Sequence, residues 1–137
     1  MNIVKKAGCI LINPKNKAVA LVFRERDRDY SFPKGHLEEN ETLEECAIRE
    51  TAEETKRDCV FLEKGPIYIE HYITPKGENV ELYYYLSKDI GPSNNNSEDT
   101  HPTFWIPFSE VENKLSYPSL KNTWNQIKDK VQKYLDE

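Results

Sequence analysis

The chain reads as an α/β or α+β protein, a mixed sheet carrying helices, on three features of its sequence. Short apolar runs punctuated by Pro, Gly and Asn recur along most of its length. A capped, Glu-rich segment opening at Thr42 has the composition of a helix. Near the end, Leu120, Trp124, Ile127, Val131 and Leu135 repeat at helical spacing. With 137 residues, no internal repeat and no linker, residues 1–137 are expected to form one domain.

The first strand is expected over Ala7–Ile12, closed by the turn signal Asn13-Pro14-Lys15-Asn16. The second, Ala18–Phe23, follows at once, so the two form a hairpin or neighbouring strands. Both are too continuously apolar for a sheet with one wet face, which argues for layers on both sides. Tyr30–Gly35, with its own Pro33 and Gly35, is expected to be a loop. Thr42 and Glu45, three residues on, make a capping box, and the helix it opens should run to about Thr55. Strands are expected around Cys59–Leu62, Ile67–Tyr72 and Val80–Leu86, then a long polar loop over Gly91–Thr103 with Asn94-Asn95-Asn96 at its centre. Phe104–Phe108 should be a last short strand, Ser109 with Glu112 a second capping box, and the C-terminal repeat an amphipathic helix laid on the sheet.

Composition excludes several classes. Charged residues at 31% and aromatic residues at 11% suit a folded domain, not a disordered or low-complexity chain. A net charge of −5 argues against general nucleic-acid binding, which needs a cationic field. No run approaches the ~18 apolar residues of a membrane span, and the first residues hold no signal-like apolar core. Cys9, Cys46 and Cys59 are odd in number and form no CxxC pair, so reduced, mostly buried thiols of a cytoplasmic protein are expected.

The chemistry concentrates in the first helix. Glu50, Glu53 and Glu54 fall at i, i+3 and i+4, on an arc of roughly 100° that borders the apolar side marked by Leu43, Cys46 and Ala47. Glu-rich helices usually carry such charges on a solvated back. Here three carboxylates at the buried edge should repel one another and resist desolvation, and they sit late in the helix, where the macrodipole disfavours acids. Arg49 cannot neutralise all three. A bound cation would remove the conflict, and oxygen-only ligands point to a hard ion, Mg²⁺ or Mn²⁺. Mg²⁺ commonly shares phosphate oxygens, so the substrate expected is a phosphate ester or anhydride.

Gly35, five residues, Glu41, seven residues, then Arg49-Glu50-Thr51-Ala52-Glu53-Glu54 resembles the Nudix box, the signature of the Nudix hydrolases. The match covers 20 residues, and the strand pattern around it resembles the family's order over nearly the whole chain. The resemblance implies a Nudix-like α/β/α sandwich around a mixed sheet. It implies Glu50, Glu53 and Glu54 as metal ligands together with the Gly35 carbonyl, and Glu50 also as a candidate base. Arg49 resembles the arginine that orients the catalytic glutamate, and Glu41 the box's first acid, with a structural or supporting role. The chain departs from the family pattern at Thr51, usually aliphatic, at Lys56, usually glycine, and at Arg57, usually apolar. The Lys56 change bears on how the helix ends, because glycine reaches the left-handed conformation more cheaply.

Ser31-Phe32-Pro33-Lys34-Gly35-His36-Leu37 is similar to the asymmetric diadenosine tetraphosphate hydrolase branch of that family, as is Glu98-Asp99-Thr100-His101-Pro102-Thr103-Phe104-Trp105, where an acid before a Trp supplies a further metal or base function. Glu98 is favoured over Asp99 for that part. The substrate expected is a small-molecule nucleotide, a dinucleoside polyphosphate before a nucleoside triphosphate or a capped RNA end, with a binding module that does not turn over as the remaining alternative. Lys34 and His36, and less strongly Arg24 and Arg26, are expected to meet phosphates. Tyr72 and Tyr84 are candidates to stack on a base, Tyr84 facing opposite to Tyr83 and Tyr85 on its strand. The chain is expected to be a monomer or weak dimer.

Overall fold

The computed structural model describes residues 2–136. Among them, eight strands form one mixed sheet: β1 (Ile3–Asn13), β2 (Ala18–Arg24), β3 (Asp29–Ser31), β4 (Lys34–His36), β5 (Arg57–Phe61), β6 (Tyr68–Ile73), β7 (Asn79–Pro92) and β8 (Thr103–Pro107). Helix α1 (Leu43–Thr55) lies between β4 and β5; the short α2 (Val111–Lys114) and the long α3 (Pro118–Leu135) close the chain. The main path runs β3-β2-β1-β7-β5, with β4 on β1, β6 on β7 and β8 on β2.

The parallel pair β1–β7 explains the unbroken apolar run at the start. Its register, from Ile3↔Asn79 to Ile12↔Lys88, puts both strands in the middle of the molecule, with layers on either side. Ala7, Cys9 and Leu11 join Tyr85, Cys46, Ala47 and Cys59 in a core beneath α1. Ile10, Ile12, Leu82, Tyr84 and Leu86 join Leu120, Trp124, Ile127, Val131 and Leu135 in a larger core beneath α3. The α/β/α sandwich is therefore present, and the helical repeat at the C-terminus is its second helix layer. Each fully buried Leu, Ile or Phe contributes about 1.5–3 kcal/mol relative to exposure, so these two seams hold the layers together. No helix among the described residues is long and apolar enough to cross a membrane.

Helix α1 starts as the sequence predicts. Thr42 accepts from the Glu45 N–H at 3.1 Å while Glu45 accepts from the Thr42 N–H at 2.9 Å, closing the capping box. The helix ends at Lys56, which takes the left-handed conformation (φ 59°) that glycine adopts more cheaply.

Three local expectations are corrected. Tyr30–Gly35 is not all loop: Asp29–Ser31 pairs with β2 and Lys34–His36 with β1. The second pairing depends on Gly8, where a Cβ would lie 2.0 Å from the Pro33 carbonyl oxygen. The polar loop starts later than Gly91, because β7 runs to Pro92 against β5. Ser109 forms no capping box; it lies in a 3-10 turn (Phe108–Glu110), and α2 begins after Glu110 with no side-chain cap.

Candidate active site

Helix α1 buries Cys46, Ala47, Thr51 and Ala52 against the sheet, which carries Arg49, Glu50, Glu53 and Glu54 into a cleft of about 580 Å³. The Glu50, Glu53 and Glu54 side chains are only 13%, 17% and 15% exposed, so the acids do border the buried side. Arg49 holds two of them. Its Nη1 donates to Glu50 Oε2 at 2.9 Å and to Glu53 Oε1 at 3.2 Å. Nε donates to Glu41 Oε2 at 2.6 Å, and Nη2 to Glu41 Oε1 and the His36 carbonyl, both at 3.0 Å. Glu41 thus locks the guanidinium from behind, and Arg49 keeps its carboxyl below the usual carboxylate range.

Glu54 has no such partner in Arg49. It accepts the Lys34 backbone N–H at 3.0 Å and faces His101 Nε2 at 3.7 Å. Burial pushes its carboxyl up to about 7, against the opposing pull of Lys34. Burial also raises Glu50, with Glu53 adding to it and Arg49 opposing. Lys34 is pulled down to about 8 by burial and by the neighbouring Arg24.

Gly35 is shaped around Glu50. A Cβ there would lie 2.0 Å from Glu50 Cδ and 2.2 and 2.3 Å from its two oxygens, so the missing side chain is the space the carboxylate fills. The Gly35 carbonyl, a candidate ligand, accepts a contact from Cys46 Sγ at 3.6 Å.

The loop after β7 is stapled to the C-terminal end of α1. His101 N–H donates to the Glu54 carbonyl at 3.0 Å, Thr100 Oγ1 to the Glu53 carbonyl at 3.1 Å, and Lys56 Nζ to the Ser97 carbonyl at 2.6 Å. The first two satisfy carbonyls that a helix end otherwise leaves open. Lys56 in the glycine position thereby exchanges some backbone strain for a tether. The staples bring Glu98 and Asp99 to the rim of the carboxylate cleft.

Among the described residues, no three His, Cys, Asp or Glu side chains converge into a preformed ion cage. Arg49 Nη1 engages Glu50 and Glu53, while the Lys34 N–H engages Glu54. The donor set still fits a hard divalent cation: it is all oxygen, the Gly35 cradle leaves room for Glu50, and two acids carry a desolvation penalty that a cation would relieve. The open geometry suits an ion shared with waters and substrate phosphate oxygens.

A second cleft of about 570 Å³ adjoins the first, and Lys6, Arg24 and Lys34 line both. Tyr72, Tyr117, Leu82, Leu120 and Glu70 line the second. The structure thus gathers Gly35, His36, Arg49, Glu50, Glu53, Glu54 and Glu98 in the first cleft, with Lys34 shared and Tyr72 in the second. Tyr84 does not belong there. It faces opposite to its neighbours as expected, but its ring is fully buried in the core beneath α3, against Phe32. Tyr117 and Lys6 went unrecognised in the sequence. Tyr117 is exposed by its place at the start of α3, and only the Pro118 that follows marks that start. The three cysteines are free and buried, and none lines either cleft; burial raises the Cys46 thiol to about 12.

Comparison with known proteins bears on the family and the fold. The NUDIX domain family matches residues 3–128. Mutator protein MutT4 of Mycobacterium tuberculosis is 31% identical over 92% of this chain and 56% of its own length. The 8-oxo-(d)GTP phosphatase of Mycolicibacterium smegmatis is 30% identical over 77% of this chain and 32% of its own length. The chain therefore spans about half or less of these relatives. Among solved structures, a Caenorhabditis elegans Ap4A hydrolase binary complex superposes with a TM-score of 0.77 at 21% identity, covering 95% of this chain and 98% of that one. A NUDIX hydrolase from Nitrosomonas europaea superposes with a TM-score of 0.78 at 17% identity, covering 94% and 90%. At those identities the superpositions speak for the fold, and the family match over residues 3–128 says the rest: this chain belongs to the NUDIX domain family.

Proposed function

We propose that the protein hydrolyses a phosphoanhydride bond of a nucleotide, most favourably in a dinucleoside polyphosphate such as diadenosine tetraphosphate, releasing ATP and AMP. The observation that carries this reading is the pair of adjoining clefts. One is lined by carboxylates, the other by Tyr72 and Tyr117, and Lys6, Arg24 and Lys34 run between them. A ring can stack on the tyrosines while its phosphates pass the three cations toward the acids.

Glu50, Glu53 and Glu54, with the Gly35 carbonyl, would hold Mg²⁺ or Mn²⁺. Such an ion neutralises phosphate oxygens and acidifies water. Arg49 fixes the Glu50 and Glu53 carboxylates and so sets where they present their oxygens. A carboxylate of the cleft, Glu50 or the rim residue Glu98, takes a proton from the attacking water. The water oxygen bonds to phosphorus as the bridging P–O bond breaks, and the departing phosphate carries away the electron pair. Lys34, Arg24 and His36 line the same cleft, and in this reading they hold the chain of phosphates during the step.

A second reading is removal of pyrophosphate from a nucleoside triphosphate; the name of one mycobacterial relative, an 8-oxo-(d)GTP phosphatase, favours a nucleoside triphosphate as substrate. Product analysis separates them. With diadenosine tetraphosphate and Mg²⁺, the first reading expects AMP and ATP in equal amounts. Inertness toward every dinucleoside polyphosphate, with pyrophosphate released from triphosphates, would replace it by the second.

A further inference from the structure

Bonded to two cleft-lining side chains is a buried carboxylate that neither the metal site nor the chemistry uses. Asp29, on β3, is 2% exposed. Arg24 Nε donates to its Oδ1 and Arg24 Nη2 to its Oδ2, both at 2.8 Å, a bidentate pair. The Tyr117 hydroxyl donates to the same Oδ2. Arg24 lines both clefts and Tyr117 lines the second. The backbone reinforces the link: Tyr30 N–H donates to Ser116 Oγ at 2.9 Å, so β3 also holds the residue before Tyr117.

An ion pair that served only to join β2 and β3 would not need Tyr117, a residue 42% exposed that lines the second cleft. We infer that Asp29 is a positioning residue that fixes Arg24 and Tyr117 as one unit, so that a nucleotide is read jointly through a phosphate at Arg24 and its base at Tyr117. The inference rests on the proposed function in taking both clefts as parts of one substrate site. A guanidinium already committed to Asp29 on one edge is oriented before ligand arrives, and less side-chain freedom is lost on binding. Tyr117 is held likewise at its hydroxyl, which leaves the ring face for stacking. The ligand class this selects is a base joined to a phosphate chain; a bare polyphosphate engages only half of the unit.

The test is titration calorimetry with ATP and with inorganic tripolyphosphate, in Mg²⁺, on the wild type, Asp29→Asn, Tyr117→Phe and the double variant. Tyr117→Phe keeps the ring and removes only the hydroxyl, so it remains informative if Asp29→Asn folds poorly. Both single substitutions should weaken ATP binding by about tenfold, the scale typical of removing a group that orients a binding side chain. Tyr117→Phe should leave tripolyphosphate unchanged, and the double variant should bind ATP no more weakly than Asp29→Asn alone, since both act through one unit. Wild-type ATP affinity in Tyr117→Phe, additive losses in the double variant, or a lowered melting temperature with no change in affinity would overturn the inference. The predicted pattern in a protein that releases no AMP from diadenosine tetraphosphate would sink the proposed function and leave the inference standing. Turnover with an unaltered KM in both single variants would do the reverse.

Discussion

Gly35→Ala offers a direct way to move one carboxylate and little else. The added Cβ would sit 2.0 Å from Glu50 Cδ. Carbon atoms in contact lie ~3.5–4.0 Å apart, so the Glu50 carboxylate must retreat by at least ~1.5 Å. Gly35 is not among the residues with positive φ, so alanine can take its backbone conformation. The group displaced is the end of a flexible side chain, and stability should stay within ~1 kcal/mol of wild type. A misplacement of ~1 Å in a reacting constellation costs on the order of 10²-fold, so kcat should fall at least that far while the protein remains folded. The assay is steady-state phosphate or nucleotide release with Mg²⁺, alongside thermal melting. Gly8→Ala is the contrast: its Cβ would meet backbone, at 2.0 Å from the Pro33 carbonyl oxygen and 2.8 Å from Lys34 Cα, so that variant should lose stability. Wild-type kcat in a normally melting Gly35→Ala protein would refute the argument that the Glu50 position beside Gly35 matters for turnover.

Other consequences can be checked with the same preparations. Glu53→Gln and Glu54→Gln should each lower turnover by orders of magnitude with folding intact; unchanged rates in both would remove them as ligands. Lys34→Ala should raise KM or lower kcat, because Lys34 lines both clefts, and its melting temperature should change little. For pH, Arg24 and Tyr117 hold the Asp29 carboxyl below its ordinary value of 3.8. A lowered acid contributes stability that is fully present above its unfolded pKa and is lost as pH falls through the folded one. Breaking this buried pair costs ~3 kcal/mol, so the melting gap between wild type and Asp29→Asn should be full at pH 7 and narrow below about pH 4. A gap that does not shrink at all between about pH 5 and pH 2 would show that the carboxylate's charge is not its source.

Much of the site was legible because it lies on one helix. The i, i+3, i+4 spacing of Glu50, Glu53 and Glu54 puts them on one face whatever surrounds them, and Thr42 with Glu45 sets where that helix starts. The C-terminal stripe was equally plain, and all five of its apolar residues are buried. What escaped depends on distant pairing. The two short strands around Pro33 have no hydrophobic run of their own and exist because Gly8 and β2 accept them. Alternation placed Tyr84 on the opposite face from its neighbours, but the side that α3 covers is set by tertiary packing, and that side became core. Tyr117 and Lys6 reach the second cleft from elements far apart in sequence, so no local pattern marks them. The Lys56 departure makes sense only with the Ser97 carbonyl in view.

Binding of Mn²⁺ to the purified protein, measured by electron paramagnetic resonance with a nucleotide present, addresses the central claim without relying on turnover. The arrangement of Glu50, Glu53 and Glu54 predicts uptake at millimolar or lower concentration and its loss in Glu54→Gln. Absence of uptake by the wild type, or equal uptake by Glu54→Gln, would contradict it.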